Sequence, residues 1–171
     1  MNINFKKITG FTLIEILVYI SIFMLVSGGA LSLLFSLDDL FVQYKLKQNL
    51  LSSGTAMMER LLVEIRESDS FVSADSLTAS STAGKISLDK GVETIKILKN
   101  GNNLELYRDG NLESVINNSN VEVLGATFYH YEQNGVELVR VKLDLRSSLE
   151  SQTEDWSLSG GAIIRGSYEN S

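Results

Sequence analysis

The chain of 171 residues has no cysteine and no proline, and it has one histidine, His130. Without cysteine there is neither a disulfide framework nor a thiolate metal site. A single histidine also leaves the usual zinc ligand sets incomplete. Because proline is absent, the turns of the chain depend on Gly, Asn and Asp. We therefore expect no metal and no other cofactor.

Basic residues are also few, with 15 Lys and Arg against 21 Asp and Glu and a formal net charge of −6. This balance argues against a protein that binds nucleic acid through phosphate contacts, which require many cations. Three cations, Arg140, Lys142 and Arg146, stand close together, but Asp144 lies among them. An ordinary charged face is the favoured interpretation, and nucleic acid is the less favoured partner.

The residue patterns of the common enzyme sites are missing as well. His130 could be combined with a serine and an aspartate, but no G-x-S-x-G nucleophile elbow occurs. The acidic residues lack the alternating spacing of a calcium loop. A strand histidine between Tyr129 and Tyr131 is more typical of cross-strand packing or hydrogen bonding. We expect a protein that is not an enzyme and has no catalytic residues.

What the chain does have is a long apolar run over residues 11–37, in which Glu15 is the single charged residue. A helix over this run would rise about 40 Å, more than the hydrocarbon core of a bilayer at about 30 Å. Lys6 and Lys7 precede it and acids follow it, which predicts a cytoplasmic N-terminus and an outer C-terminal domain. The run is too long for a cleaved secretory signal, whereas a plain signal anchor fits its length.

Glu15 is the unusual feature of this run. A carboxylate in a membrane helix costs about 2.5 kcal/mol or more and by default marks a functional pairing. The alternative is that Glu15 only complements the helix dipole in the first turn, which contributes about 0.3–1 kcal/mol. Since the dipole effect does not offset the cost, the pairing role is favoured.

The residues around Glu15 carry a resemblance to a known family. The basic pair Lys6-Lys7, then Gly10, then Phe11-Thr12-Leu13-Ile14-Glu15 and an apolar helix resemble the N-terminus of type IV pilins and type II secretion pseudopilins. The resemblance implies that a prepilin peptidase cleaves between Gly10 and Phe11 and that the new Phe11 amine is N-methylated. It also implies that Glu15 pairs with the Phe11 amine of a neighbouring subunit, in a hetero-oligomeric filament that assembles from the inner membrane.

After Leu37 the apolar residues continue at helical spacing, at Leu40/Phe41, Tyr44, Leu51, Met58, Leu61/Leu62 and Ile65. We predict one helix over residues 12–68, whose second half packs on the following domain. The predicted domains are a cleaved leader (1–10), a transmembrane and filament-core helix (11–37), an amphipathic helix (38–68), a linker or exposed loop (69–84) and an antiparallel β-domain (85–171). Gly28-Gly29 indicates either close helix packing or, by the resemblance, a place where the helix loosens in a filament.

The predicted β-domain has strong turn signals between alternating segments, at Asp89-Lys90-Gly91, Asn100-Gly101, Asp109-Gly110 and Asn134-Gly135. The clearest strand, residues 139–146, alternates apolar and charged residues, and its partner across Asn134-Gly135 is residues 125–133. We predict an α+β protein, with a long helix covering one face of a largely antiparallel sheet of six or seven strands.

The order of elements narrows the resemblance. The helix end "MMERLLVEIRESDSF", the hairpin "FYHYEQNGVELVRVKLDL" and a late apolar strand before Arg165 resemble a J-type minor pseudopilin or a W-type minor pilin. Two alternatives remain: a competence pseudopilin for DNA uptake, and a signal-anchored extracytoplasmic binding domain that never polymerises.

Overall fold

The structure is a computed structural model that describes residues 12–73, 76 and 84–169, with the side chains of residues 168 and 169 left out. Gly10 and Phe11, the predicted cleavage site, lie outside the described residues. The chain divides into two compact units, Met1–Phe41 and Val42–Ser171. The first contains the start of the long helix, and the second contains the rest of that helix and all the strands.

The long helix, α1, spans Leu13–Glu67. In the second unit it buries one stripe of residues at helical spacing against the strands: Val42, Leu46, Leu50, Met57, Leu61 and Ile65. The sequence-based stripe included Tyr44 and Leu51, and that part of the prediction is wrong, because both side chains are exposed. Apolar residues lie on more than one face of this part of the helix, so periodicity alone allowed two neighbouring stripes.

The strands form two antiparallel sheets, rather than the predicted single sheet. The first sheet has the order β1-β2-β3-β4-β5, with its strands at Ser70–Phe71, Lys85–Lys90, Glu93–Asn100, Asn103–Arg108 and Asn111–Val115. Strand β1 falls inside the segment predicted as a linker, and it pairs with the end of β2, Phe71 opposite Leu88. Eight strands are present in the described part of the chain, against the six or seven expected.

The second sheet has the order β6-β7-β8, with strands at Val121–Gln133, Val136–Leu149 and Gln152–Ile163. The predicted hairpin across Asn134-Gly135 is confirmed, since Gln133 pairs with Val136. A short helix, α2, follows at Arg165–Glu169. The apolar residues of β7 that alternate along the strand, Val139, Val141, Leu143 and Leu145, are fully buried, as the alternation predicted.

Two hairpin turns use the residues that the sequence signals indicated. Asp109 and Gly110 have φ of 50° and 79°, and Asn134 and Gly135 have φ of 53° and 78°. Positive φ at both central residues is the pattern of a type I′ turn, whose twist matches that of the flanking strands. The turns therefore fix the register of β4 with β5 and of β6 with β7.

Helix α1 packs directly on the second sheet. A Cβ atom at Gly54 would lie 2.8 Å from the Trp156 ring and 3.0 Å from Leu145, and one at Gly160 would lie 2.9 Å from Met58. The two glycines therefore permit the close approach of helix and sheet. Together with the core between α1 and both sheets, this contact confirms the α+β class, a long N-terminal helix packed on antiparallel sheets.

An ion-pair network joins α1 to the first sheet. The Arg108 guanidinium donates to Glu113 at 2.8 Å, to Glu93 at 2.7 Å and to Glu64 of the helix at 3.5 Å. The hydrogen bonds to Glu113 and Glu93 raise the pKa of Arg108 above its ordinary value. The side chain of Glu64 is only 13% exposed, so its charge depends on Arg108 for compensation.

We predict that Arg108→Met lowers the free energy of unfolding by about 2–3 kcal/mol, because it leaves the Glu64 carboxylate largely buried and without its cation. Arg146→Met is the matched control. It removes an ion pair with Asp155 in which both side chains are more than one-third exposed, and it should cost less than about 1 kcal/mol. Denaturant unfolding of both variants measures the difference, and equal losses would contradict a structural role for Arg108.

Candidate assembly segment

The described part of the candidate site begins at Thr12, which caps helix α1. The backbone N–H of Glu15 donates to the Thr12 hydroxyl at 3.3 Å and to the Thr12 carbonyl at 3.1 Å. Thr12 and Glu15 are thus the first and fourth residues of a T-x-x-E capping pattern, in which the side chain of the cap accepts an otherwise unpaired N–H. The pattern is readable in the sequence, although the roles predicted for Glu15 were only a favourable interaction with the helix dipole or pairing with another subunit.

Glu15 is the acidic residue of the first turn of α1, and its side chain is exposed. Among the described residues, none donates a hydrogen bond or forms an ion pair with this carboxylate. A negative charge in the first turn suits the helix dipole, but the carboxylate oxygens remain available for a partner from outside the described chain.

The helix around Glu15 is apolar on all sides, and none of its residues from Leu13 to Phe41 is buried among the described residues. It contains a stretch long and apolar enough to cross a membrane, none of which is buried. Its exposed large side chains include Leu13, Ile14, Leu17, Tyr19, Phe23, Met24, Leu25, Leu33, Leu34 and Phe35. Such a surface requires lipid or other apolar helices around it. This segment is consistent with anchoring in the inner membrane.

Polar side chains inside the apolar stretch are satisfied by the helix itself. The Ser21 hydroxyl donates to the Leu17 carbonyl at 2.8 Å, and the Ser36 hydroxyl donates to the Ser32 carbonyl at 3.0 Å. Hydrogen bonds of this kind let serine enter an apolar environment at low cost. Glu15 differs from these serines, because the described helix offers its carboxylate no such partner.

The two glycines in the middle of the segment are helical and make no side contact. A Cβ atom at Gly28 or Gly29 would have no atom within 4 Å, so no described part of the chain requires glycine there. Close packing against another helix and loosening of the helix in a filament both remain predictions for this pair.

His130, the other residue considered for chemistry, lies on β6 opposite Val139. Its ring stacks on Phe71 with the centroids 4.0 Å apart, and its Nε2 lies 3.5 Å from the Glu137 carboxylate. The Phe71 N–H donates to the other oxygen of Glu137 at 3.2 Å. His130 thus takes part in the packing of β1 on the β6–β7 hairpin, which is the structural role that the sequence favoured.

The start of the chain matches a known protein-family motif. Residues 5–31 match the prokaryotic N-terminal methylation motif. The match starts before the predicted cleavage site and covers Gly10, Phe11 and Glu15. It supports a type IV pilin or pseudopilin that is processed by prepilin peptidase and assembles with other pilins. No curated protein and no solved structure matches the chain.

Proposed function

We propose that the chain is a minor pilin or pseudopilin, a non-enzymatic structural subunit of a type IV pilus or a type II secretion filament. One observation carries the proposal: a lone carboxylate, Glu15, stands in a helical surface that is otherwise apolar and unburied in its own chain. The methylation motif that includes Glu15 supports processing of the same segment by prepilin peptidase. In an anchor that only held a domain at the membrane, the dipole effect of about 0.3–1 kcal/mol would not offset the cost of this acid.

In this proposal the precursor lies in the inner membrane with Lys6 and Lys7 in the cytoplasm and the β-domain outside. Prepilin peptidase cleaves between Gly10 and Phe11, and Phe11 is N-methylated. Removal of residues 1–10 brings the new positive terminus close to the start of α1. Two opposite charges then stand four residues apart in the sequence, at Phe11 and Glu15, and no other charged residue follows until Asp38.

The two charges act between subunits. Four residues correspond to about 6 Å along a helix axis. A neighbouring helix displaced axially by about this distance brings its Phe11 amine to the Glu15 carboxylate. Among apolar helices an unpaired charge costs several kcal/mol, whereas the pair compensates both charges. The pair thereby favours one axial stagger between subunits over the others.

We propose more specifically that the chain is a minor subunit of the J-type pseudopilin or W-type pilin kind. This proposal is supported by the order of elements after the helix, in which the long hairpin β6–β7 and the late strand β8 precede the short helix α2. The competence pseudopilin remains the second member of the same class, and no described feature favours it over the others.

The processing step is tested with Gly10→Leu in the full-length precursor. We expect the variant to keep its leader and accumulate in the membrane fraction, because a bulky residue at the cleavage position should not fit the peptidase. Gly28→Leu is the control, since a Cβ atom there would meet no described atom within 4 Å and the position lies far from the cleavage site in sequence. It should be cleaved like the wild type.

The measurement is the intact mass of each purified protein from cells that contain prepilin peptidase. A Gly10→Leu protein with the mature mass would refute the processing assignment. A wild-type protein that keeps residues 1–10 would support the rival class, a signal-anchored binding domain that never polymerises.

A further inference from the structure

Strand β8 forms the outer edge of the second sheet, because the order is β6-β7-β8. Its residues from Gln152 to Ile163 pair on one side with β7. In the part of the chain that the structure describes, no hydrogen bond joins the backbone of residues 153–163 to any group outside this ladder. The other side of β8 therefore presents a row of N–H and C=O groups that have no partner among the described residues.

From Trp156 to Ile163 this edge lacks the devices that usually block strand addition, whereas Glu154 and Asp155 lie nearer the start of β8. Residues 156–164 contain neither a charged residue nor a proline, and exposed edges are commonly protected by lysine, proline or a bulge. The pairing of β8 with β7 is continuous and shows no register shift. The side chains on its outer face are small and exposed at Ser157, Ser159 and Gly161. The edge is thus long, regular and sterically open.

The strand next to this edge carries cations on the same outer face. Arg140 lies opposite Gly161, and Lys142 lies opposite Ser159. Both line a groove on the outer face of the sheet with Tyr129 and Tyr131. Arg140 has no ion-pair partner among the described residues, whereas Lys142 has Asp144 at 3.1 Å. Because the opposing β8 side chains are small, the Arg140 guanidinium is reachable from beyond the edge.

An apolar row lies next to these cations. Tyr131, Leu138 and Ile163 are directly opposite one another on the three strands, and they are 51%, 36% and 43% exposed. Tyrosine and arginine are enriched at protein-binding centres, and the buried core of such an interface is more apolar than its rim. A second cation without a described acid partner, Arg66, borders Gly161 and Ile163.

We propose that the edge of β8 binds an extended acidic segment of another polypeptide, which adds to the sheet as a further strand. The added strand would lie about 4.8 Å from β8 and pair with its free backbone groups. Its outward carboxylates would reach over Ser159 and Gly161 to Arg140 and Lys142. An apolar side chain two residues away along the strand would cover the row at Ile163.

The backbone edge identifies the partner as a polypeptide, because only another peptide chain can continue the ladder. The cations Arg140 and Lys142 indicate that this polypeptide segment is acidic. A long polyanion such as a nucleic acid is disfavoured, because the net charge of the chain, −6, would repel it. This interaction goes beyond assembly through the N-terminal helix and does not depend on Glu15.

Site-directed photocrosslinking in the full-length protein tests the proposal in cells that produce its secretion or pilus machine. A photoreactive residue replaces Ser159 on β8, and in the control it replaces Asn111, an exposed residue on the edge strand of the other sheet. We expect the Ser159 probe to give at least ten times more adduct than the Asn111 probe, on a peptide segment that contains Asp or Glu. Equal adducts from both positions, or adducts to lipid, saccharide or non-acidic segments, would overturn the proposal.

Charge reversal then tests the role of Arg140. Arg140→Glu should reduce the Ser159 adduct at least tenfold, and replacing the crosslinked acid with lysine should restore it. Lys99→Glu, with the same change of charge on the first sheet, should leave the adduct unchanged. If Arg140→Glu leaves the adduct at the wild-type level, the proposal is wrong. The mature mass measured on the same samples shows separately whether the chain was processed as a pilin, so the two proposals fail independently.

Discussion

Glu15→Ala is expected to be cleaved and inserted normally, yet to be recovered with partner subunits at no more than about one-tenth of the wild-type yield. Removal of the carboxylate makes insertion into the bilayer easier by about 2.5 kcal/mol or more. In the filament, however, the Phe11 amine of the neighbouring subunit loses its counter-charge among apolar helices. A tenfold loss corresponds to only about 1.4 kcal/mol, well within the cost of an unpaired buried charge.

Glu59→Ala is the matched control for this prediction. It removes the same side chain from the same helix, at an exposed position of the second unit, and should leave recovery unchanged. Glu15→Gln separates charge from shape, because the amide is nearly isosteric and neutral. It should behave like Glu15→Ala. Co-purification of Glu15→Ala at the wild-type yield would show that the carboxylate serves only the helix dipole.

The second large effect is expected at Gly84, where Gly84→Ala should lower the free energy of unfolding by about 3 kcal/mol or more. Gly84 lies between the two sheets: its N–H donates to the Ala126 carbonyl of β6 at 2.9 Å, and its carbonyl accepts from Lys99 of β3 at 3.3 Å. A Cβ atom at Gly84 would lie 2.2 Å from the Ala126 carbonyl oxygen and 3.1 Å from its carbon. A backbone atom cannot move aside as a side chain can, so the sheets must separate.

The loss is a large part of a typical total stability of about 5–15 kcal/mol. Gly161→Ala is the control, since its Cβ would meet the nearest atom at 3.4 Å, which is ordinary contact. Denaturant unfolding of both variants of the full-length protein should give a large loss for Gly84→Ala and less than about 1 kcal/mol for Gly161→Ala. Equal stability of the two variants would contradict the described contact between the sheets.

The local parts of the fold were predictable from sequence, because their signals lie within a few residues. Asp109-Gly110 and Asn134-Gly135 tolerate positive φ, and alternation on β7 follows from the two-residue period of a strand. The division into two sheets was not predictable in this way. It depends on contacts such as that of Gly84 with Ala126, which are distant in sequence and carry no local pattern.

The face of α1 was predictable only in part. Ile65 and Leu61 are buried as expected, but Tyr44 and Leu51 are exposed, because apolar residues occur on several sides of the helix there. The two-residue strand β1 was also beyond sequence reasoning. It exists through pairing with Asp89 and Leu88, since so short a segment has no periodicity of its own.

The candidate site was more accessible to sequence reasoning than the fold. Gly10, Phe11 and Glu15 were assigned from spacing and resemblance, and residues 5–31 carry the methylation motif. The roles of these three residues stay predictions, because they depend on partners outside the chain. The free edge of β8 with Arg140 beside it was not anticipated, since it requires knowing which strand is outermost.

The intact mass and N-terminal sequence of the wild-type protein, isolated from cells with an active prepilin peptidase, test the central claim most directly. A pilin or pseudopilin should lack residues 1–10 and begin at Phe11 with one methyl group on its amine. A protein that retains the leader, or that begins at Phe11 with an unmodified amine, would contradict the account.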